Sequence, residues 1–170
     1  YCESRGLKHN PLYYRGMTRV GCMPCINVRQ SELRQIADRF PEVFDALARH
    51  GKQISGAPFL RYRTIDMDRE LRVEACVPID APLPSDGAVS TDTLPGGKYA
   101  VATHRGPFDG LMDTTAKLLS WGSEQGLQWD STATDNGEEW VGRIEIYETG
   151  PATEPDPANW VTVLAFKLAD

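Results

Sequence analysis

The sequence predicts an α+β domain, a pseudo-two-fold repeat of helix-strand-strand units that form one mainly antiparallel sheet with two helices on one face. Three observations predict it. Apolar residues stepping by three and four occur in two stretches, each closed by a glycine, Gly51 and Gly126. Each stretch is followed by two segments of strand character. Each helix carries one apolar stripe and each strand pair needs cover, so both helices are expected on the same sheet face.

Element by element, residues 9–21 (HNPLYYRGMTRVG) read as loop, punctuated by Asn-Pro and Gly. Ser31 caps a helix over 31–50 whose stripe is Leu33, Ile36, Phe40, Phe44 and Leu47, with Pro41 marking a kink or a new first turn. Two strands follow, 58–65 and 71–79, the second alternating Leu71, Val73, Ala75, Val77 and Ile79 against Arg72, Glu74 and Cys76. Strands over 89–94 and 98–104 flank the turn Pro95-Gly96-Gly97. A second helix over 109–125 places Leu111, Thr115, Leu118 and Gly122 on one stripe. Strands 140–148 and 160–168 close the chain around a Pro-rich loop. The first unit lacks a good strand ahead of its helix, because Pro24 interrupts 18–28.

At 170 residues the chain is long enough for one sizeable core, and its ordinary apolar and charged content excludes a collagen or a disordered tail. No apolar run approaches a membrane span and no signal peptide is visible, so a cytoplasmic location is expected, with no membrane partner. The chain opens on Tyr1, which points to processing or to residues upstream. Residues 1–50 hold eight Lys/Arg against five Asp/Glu, whereas residues 51–170 hold ten against nineteen, so the net charge of −6 comes from the second part. That part should repel a phosphate backbone and tolerate cations, and no nucleic-acid partner is expected.

Cys22 and Cys25 are spaced like half of a zinc or cluster site, but only Cys2 and His9 lie nearby to complete four ligands. A redox dithiol would need a strand-to-helix context that is missing here, so no resident cofactor, zinc or iron-sulfur, is expected. Glu145 is the most informative charge. It lies between Ile144 and Ile146 in a strand, on the face of Arg143 and Tyr147. A carboxylate there either faces a ligand cavity or pairs with Arg143 or another cation of the sheet. Glu74 holds a similar place in the first unit, with a surface pair as its alternative. Of the aromatics, Phe59, Trp121, Trp140, Trp160 and Phe166 read as core or ring wall, while the hydroxyls of Tyr62 and Tyr147 require polar partners. His104 reads as structural and Cys76 as a small core residue. No phosphate loop, nucleophile elbow, paired metal histidines or helix-turn-helix is visible.

Seven segments in order then carry a family resemblance: FPEVFDALARHG (40–51), PFLRYRTIDM (58–67), VEACVPI (73–79), LPGGKYAVATHRGPFDGL (94–111), WGSEQGL (121–127), RIEIYETGP (143–151) and EPDPANWVT (154–162). Through them residues 40–168 resemble the gyrase-inhibitor-like (GyrI-like) small-molecule-binding family, also found as the effector-binding domain of multidrug-responsive regulators, and 40–170 are expected to form one such domain. The resemblance implies a pocket between two related halves, with an acid at the strand of Glu145. An amphipathic or cationic small molecule is the implied partner, held by Glu145, Tyr147, Tyr62, Trp121 and Glu74. Some GyrI-like relatives are implicated in opening strained rings, and a hydrolase would use Glu145 as general acid or base. Residues 7–39, through HNPLYYRGMTRVGCMPCI and SELRQIADRF, resemble instead the C-terminal end of the phosphoadenylyl-sulfate (PAPS) reductase family, whose nucleotide-binding loop would lie upstream of Tyr1. Residues 1–39 are thus expected to be a remnant rather than an independent domain, and a fragment of a reductase fusion is the further alternative. The oligomeric state is open.

Overall fold

The computed structural model describes residues 41–170, except 68, 70, 85–88 and 152. Over these described residues it is one antiparallel six-stranded sheet with two α-helices, the predicted α+β class. Helix α1 is described over Pro41–Arg49 and buries Ala46 and Leu47. Strands β1 (Phe59–Ile65) and β2 (Leu71–Cys76) follow, then β3 (Tyr99–Arg105), a 3₁₀ turn (Phe108–Gly110) and α2 (Leu111–Glu124). Strands β4 (Ser131–Thr134), β5 (Gly137–Thr149) and β6 (Val161–Lys167) complete it. The order across the sheet is β2-β1-β5-β6-β3, with β4 pairing the start of β5.

That order expresses the repeat. β1 and β5, the partners at the centre, are flanked by β2 and β6 respectively, so α1-β1-β2 and α2-β5-β6 are related about a line between β1 and β5. Even the helix ends match. Gly51 and Gly126 both take positive φ, 61° and 67°. In the first, Lys52 N–H donates to Leu47 O and Gly51 N–H to Ala48 O; in the second, Leu127 N–H donates to Gly122 O and Gly126 N–H to Ser123 O. Both ends are the same left-handed cap, which glycine adopts without a Cβ penalty.

Three expectations shift. The predicted strand over 89–94 does not form, and residues 90–98 run as a loop. Its Asp92 instead caps two arginines of β1, with Oδ2 2.7 Å from Arg61 Nη1 and 2.8 Å from Arg63 Nη2. Second, β5 begins at Gly137, not 140, because Asn136-Gly137 closes a hairpin with β4. Third, β2 ends at Cys76, and Ile79 makes only an isolated bridge to Ile54.

The registers place every second residue on one face. Across β1, β5, β6 and β3 one rung reads Tyr62, Arg143, Phe166, Ala100, and the next Leu60, Glu145, Leu164, Ala102. A third joins Tyr147, Thr162 and His104. Helix α2 lies over this face. Leu111 and Leu118 pack with Phe108, Leu164 and Phe166, and Thr115 and Gly122 are buried as the stripe predicted. His104 fixes the helix start, with Nε2 donating to Pro107 O at 3.0 Å and Nδ1 2.8 Å from Thr114 Oγ1.

Gly122 lets the helix approach this face. A Cβ there would sit 2.2 Å from Trp129 Cζ2. Alanine should raise helix propensity by roughly 1 kcal/mol, but the overlap with a packed indole should cost about 1 to 3 kcal/mol. Gly122→Ala is therefore expected to lower stability, read as a lower midpoint in urea unfolding. A midpoint above wild type would show that Trp129 moves freely.

Candidate functional site

The middle rung is apolar except for Glu145, which lies between Leu60 and Leu164 and is 1% exposed. Burial raises its pKa above the ordinary carboxylate value, opposed by hydrogen bonding from Tyr147 and Tyr62 and by the charge of Arg143. Tyr147 Oη donates to Glu145 Oε2 at 2.9 Å. Tyr62, 3% exposed on β1, favours the carboxylate from the adjacent strand. Phe108 meets the Tyr147 ring edge-on, centroids 5.4 Å apart, and so holds the hydroxyl's direction.

Arg143 is two residues along the same face. Its guanidinium carbon lies 4.7 Å from the Phe166 ring centroid, 4.9 Å from Trp140 and 5.8 Å from Tyr62. Desolvation lowers its pKa, against the attraction of Glu145, Tyr62 and Glu138. Among the described residues no carboxylate oxygen lies within 4 Å of it. Glu145 and Arg143 therefore share a low-dielectric face and attract without closing an ion pair.

The structure thus brings Glu145, Tyr147 and Tyr62 together and adds Arg143. Trp121 points away. It is 47% exposed on α2, off the buried stripe. Glu74 sits on the opposite sheet face, opposite Arg61 in register and 2.9 Å from Arg63 Nε. It lines a shallow polar cleft of about 430 Å³ there, with Arg61, Arg63, Arg72, Thr132 and Glu139. Arg61, 4% exposed, also donates from Nη2 to Val141 O at 3.1 Å. It thereby satisfies a carbonyl where β5 bulges: Tyr62 faces Arg143 while Thr64 faces Glu139. Sequence reasoning missed Arg61. Its only signal was an arginine in mid-strand, and its partner is on a loop that alternation had assigned to a strand.

Cys76 is half-buried, and burial and the nearby Glu74 charge push its thiol up to about 11. Among the described residues no group of three or more His, Cys, Asp or Glu is arranged to hold a metal ion. Cys22 and Cys25, with all of residues 7–39 and their reductase resemblance, lie outside the described residues. No helix among the described residues is long and apolar enough to cross a membrane.

A crystal structure of the EcmrR C-terminal domain superposes with a TM-score of 0.63 at 18% identity, covering 82% of this chain and 84% of that one. A cryo-EM structure of an EcmrR-DNA complex gives 0.63 at 17% identity, covering 81% of this chain and 50% of that one. At such identities these matches show the shared fold alone. An uncharacterized 37.8 kDa protein of Escherichia phage 186 is 62% identical over 40 residues, 24% of this chain and 12% of that protein's length. The profile of the GyrI-like small molecule binding domain matches residues 55–168, a span that begins before β1 and ends after β6. The chain belongs to the GyrI-like small molecule binding domain family.

Proposed function

We propose that this domain binds amphipathic small molecules through a donor or cationic group that meets Glu145 between the rings of Tyr62 and Tyr147. The observation that carries the reading is a carboxylate at 1% exposure, held by tyrosine hydroxyls and by no ion pair within 4 Å among the described residues. Such a group has lost its hydration without a full counter-charge, so a cation brought to it recovers more than the same cation would at the surface. Because Glu145 is covered, entry of the ligand requires local opening, and the half-buried Tyr147 and Arg143 on either side mark the approach. The acid excess over residues 51–170 supports ligand binding rather than phosphate-backbone contact for this segment.

The test is a titration of rigid aromatic cations and their neutral isosteres into wild type and Glu145→Gln. Cation affinity should fall by about 1 to 3 kcal/mol in the variant, with the neutral isosteres little changed. Equal affinities across the panel would remove Glu145 from the site.

A hydrolytic reading has one observation in its favour, the raised pKa of Glu145 beside the Tyr147 hydroxyl, which suits a general acid. Turnover of a strained-ring substrate, lost in Glu145→Gln, would support it over binding alone.

A further inference from the structure

We propose that Arg143 and the Trp140 indole form an acceptor-binding subsite beside Glu145, which makes the ligand class amphoteric: a donor or cationic group and, about 7 Å away, an anionic or carbonyl oxygen. This rests on the ligand site at Glu145 proposed above and specifies what that site selects. The spacing follows from the strand, since Arg143 and Glu145 are two residues apart on one face.

Hydrogen-bond chemistry carries the argument. Arg143 Nε and Trp140 Nε1 are both buried, and neither has a hydrogen-bond partner among the described residues. They are neighbours, with the guanidinium carbon 4.9 Å from the indole ring centroid. A guanidinium has five donors and no acceptor, and an indole has one donor and no acceptor. Only an acceptor satisfies either, and a buried donor left unmade is costly. The hydroxyls of Thr115 and Thr162 are also buried without a partner among the described residues, but a hydroxyl can donate or accept, so they do not specify the ligand's polarity.

A second arginine of the sheet supplies the comparison. Arg61, on the opposite face, also has a buried Nε without a partner among the described residues, but its Nη atoms hold a carboxylate at 2.7 Å and a carbonyl at 3.1 Å. Arg143 has neither among the described residues, though the attraction of Glu145 and Glu138 reaches it. Its plane is instead fixed by the rings of Trp140, Phe166 and Tyr62, which leaves the N–H edge as the part free to bind. A purely cationic ligand would meet Arg143 as a like charge. A ligand with an oxyanion at that end would turn the same charge into an attraction.

Benzylammonium and 4-(aminomethyl)benzoate share a ring and an ammonium group and differ by the carboxylate. Isothermal titration of both into the wild-type chain should show the benzoate binding about tenfold tighter or more. Arg143→Met should abolish that advantage while leaving benzylammonium equal or tighter, and Glu145→Gln should weaken both. Trp140→Phe, which keeps an aromatic ring but removes the indole N–H together with its five-membered ring, should cut the advantage severalfold, and it carries the test if Arg143→Met does not fold. If benzylammonium binding depends on Glu145 but the benzoate has no advantage, or keeps it in the variant that folds, this inference fails and the Glu145 site stands. If neither compound binds, both fail.

Discussion

Phe166→Ala should destabilise the domain by about 3 to 5 kcal/mol. Phe166 is fully buried, and its ring meets Trp129 and Trp140 edge-on, centroids 6.0 and 5.7 Å apart. It also lies between Arg143 on β5 and Ala100 on β3. Truncation would lose the transfer free energy of a phenyl group and leave a cavity that two indoles held in other contacts cannot readily fill. It would also strip one wall from the Arg143 guanidinium, 4.7 Å above it. Phe166→Leu, which restores most of the volume, should recover more than half of the loss. Denaturant unfolding measures both, and a loss below about 1 kcal/mol for alanine would mean that the sheet face collapses around the gap.

What the sequence disclosed and what it withheld follow from the range of the interactions involved. Helix ends are local, so Gly51 and Gly126 could be read directly, and the caps formed as expected. Strand alternation is local too, which is why Arg143, Glu145 and Tyr147 were legible as one face. The helical stripe Leu111, Thr115, Leu118, Gly122 already left Trp121 aside, yet its aromatic character drew it into the expected site; the periodicity was the better guide. Glu74 needed the register as well. Its pairing opposite Arg61 puts it behind the sheet from Glu145, and no feature of residues 71–79 alone encodes the register at which they meet β1. The same applies to the Asp92 loop and the β5 bulge, where an arginine finds its carboxylate 31 residues along the chain. Asn136-Gly137 was a local hairpin signal that could have located β4.

Glu145→Gln should stabilise the free protein at neutral pH, by an amount on the order of 1 to 3 kcal/mol, while weakening its binding of cations. Burial raises the pKa of Glu145 in the folded chain above its unfolded value. The folded state therefore holds this proton more tightly. The stability that the protonated group contributes is fully present below the unfolded pKa and is lost as pH rises through the folded one. Glutamine has no charge to desolvate and keeps an oxygen that can accept from Tyr147, so it avoids the loss. The melting temperature of Glu145→Gln should match wild type in acid and exceed it increasingly toward neutral pH. Other carboxylates titrate in both proteins, so the difference isolates this one. A saturating aromatic cation should narrow or reverse the gap, because it binds the ionised wild-type site and stabilises the fold in proportion to its affinity. A variant less stable than wild type at neutral pH without ligand would show that the tyrosine hydroxyls and Arg143 already outweigh the cost of burying the charge, and Glu145 would then be a structural ion of the sheet.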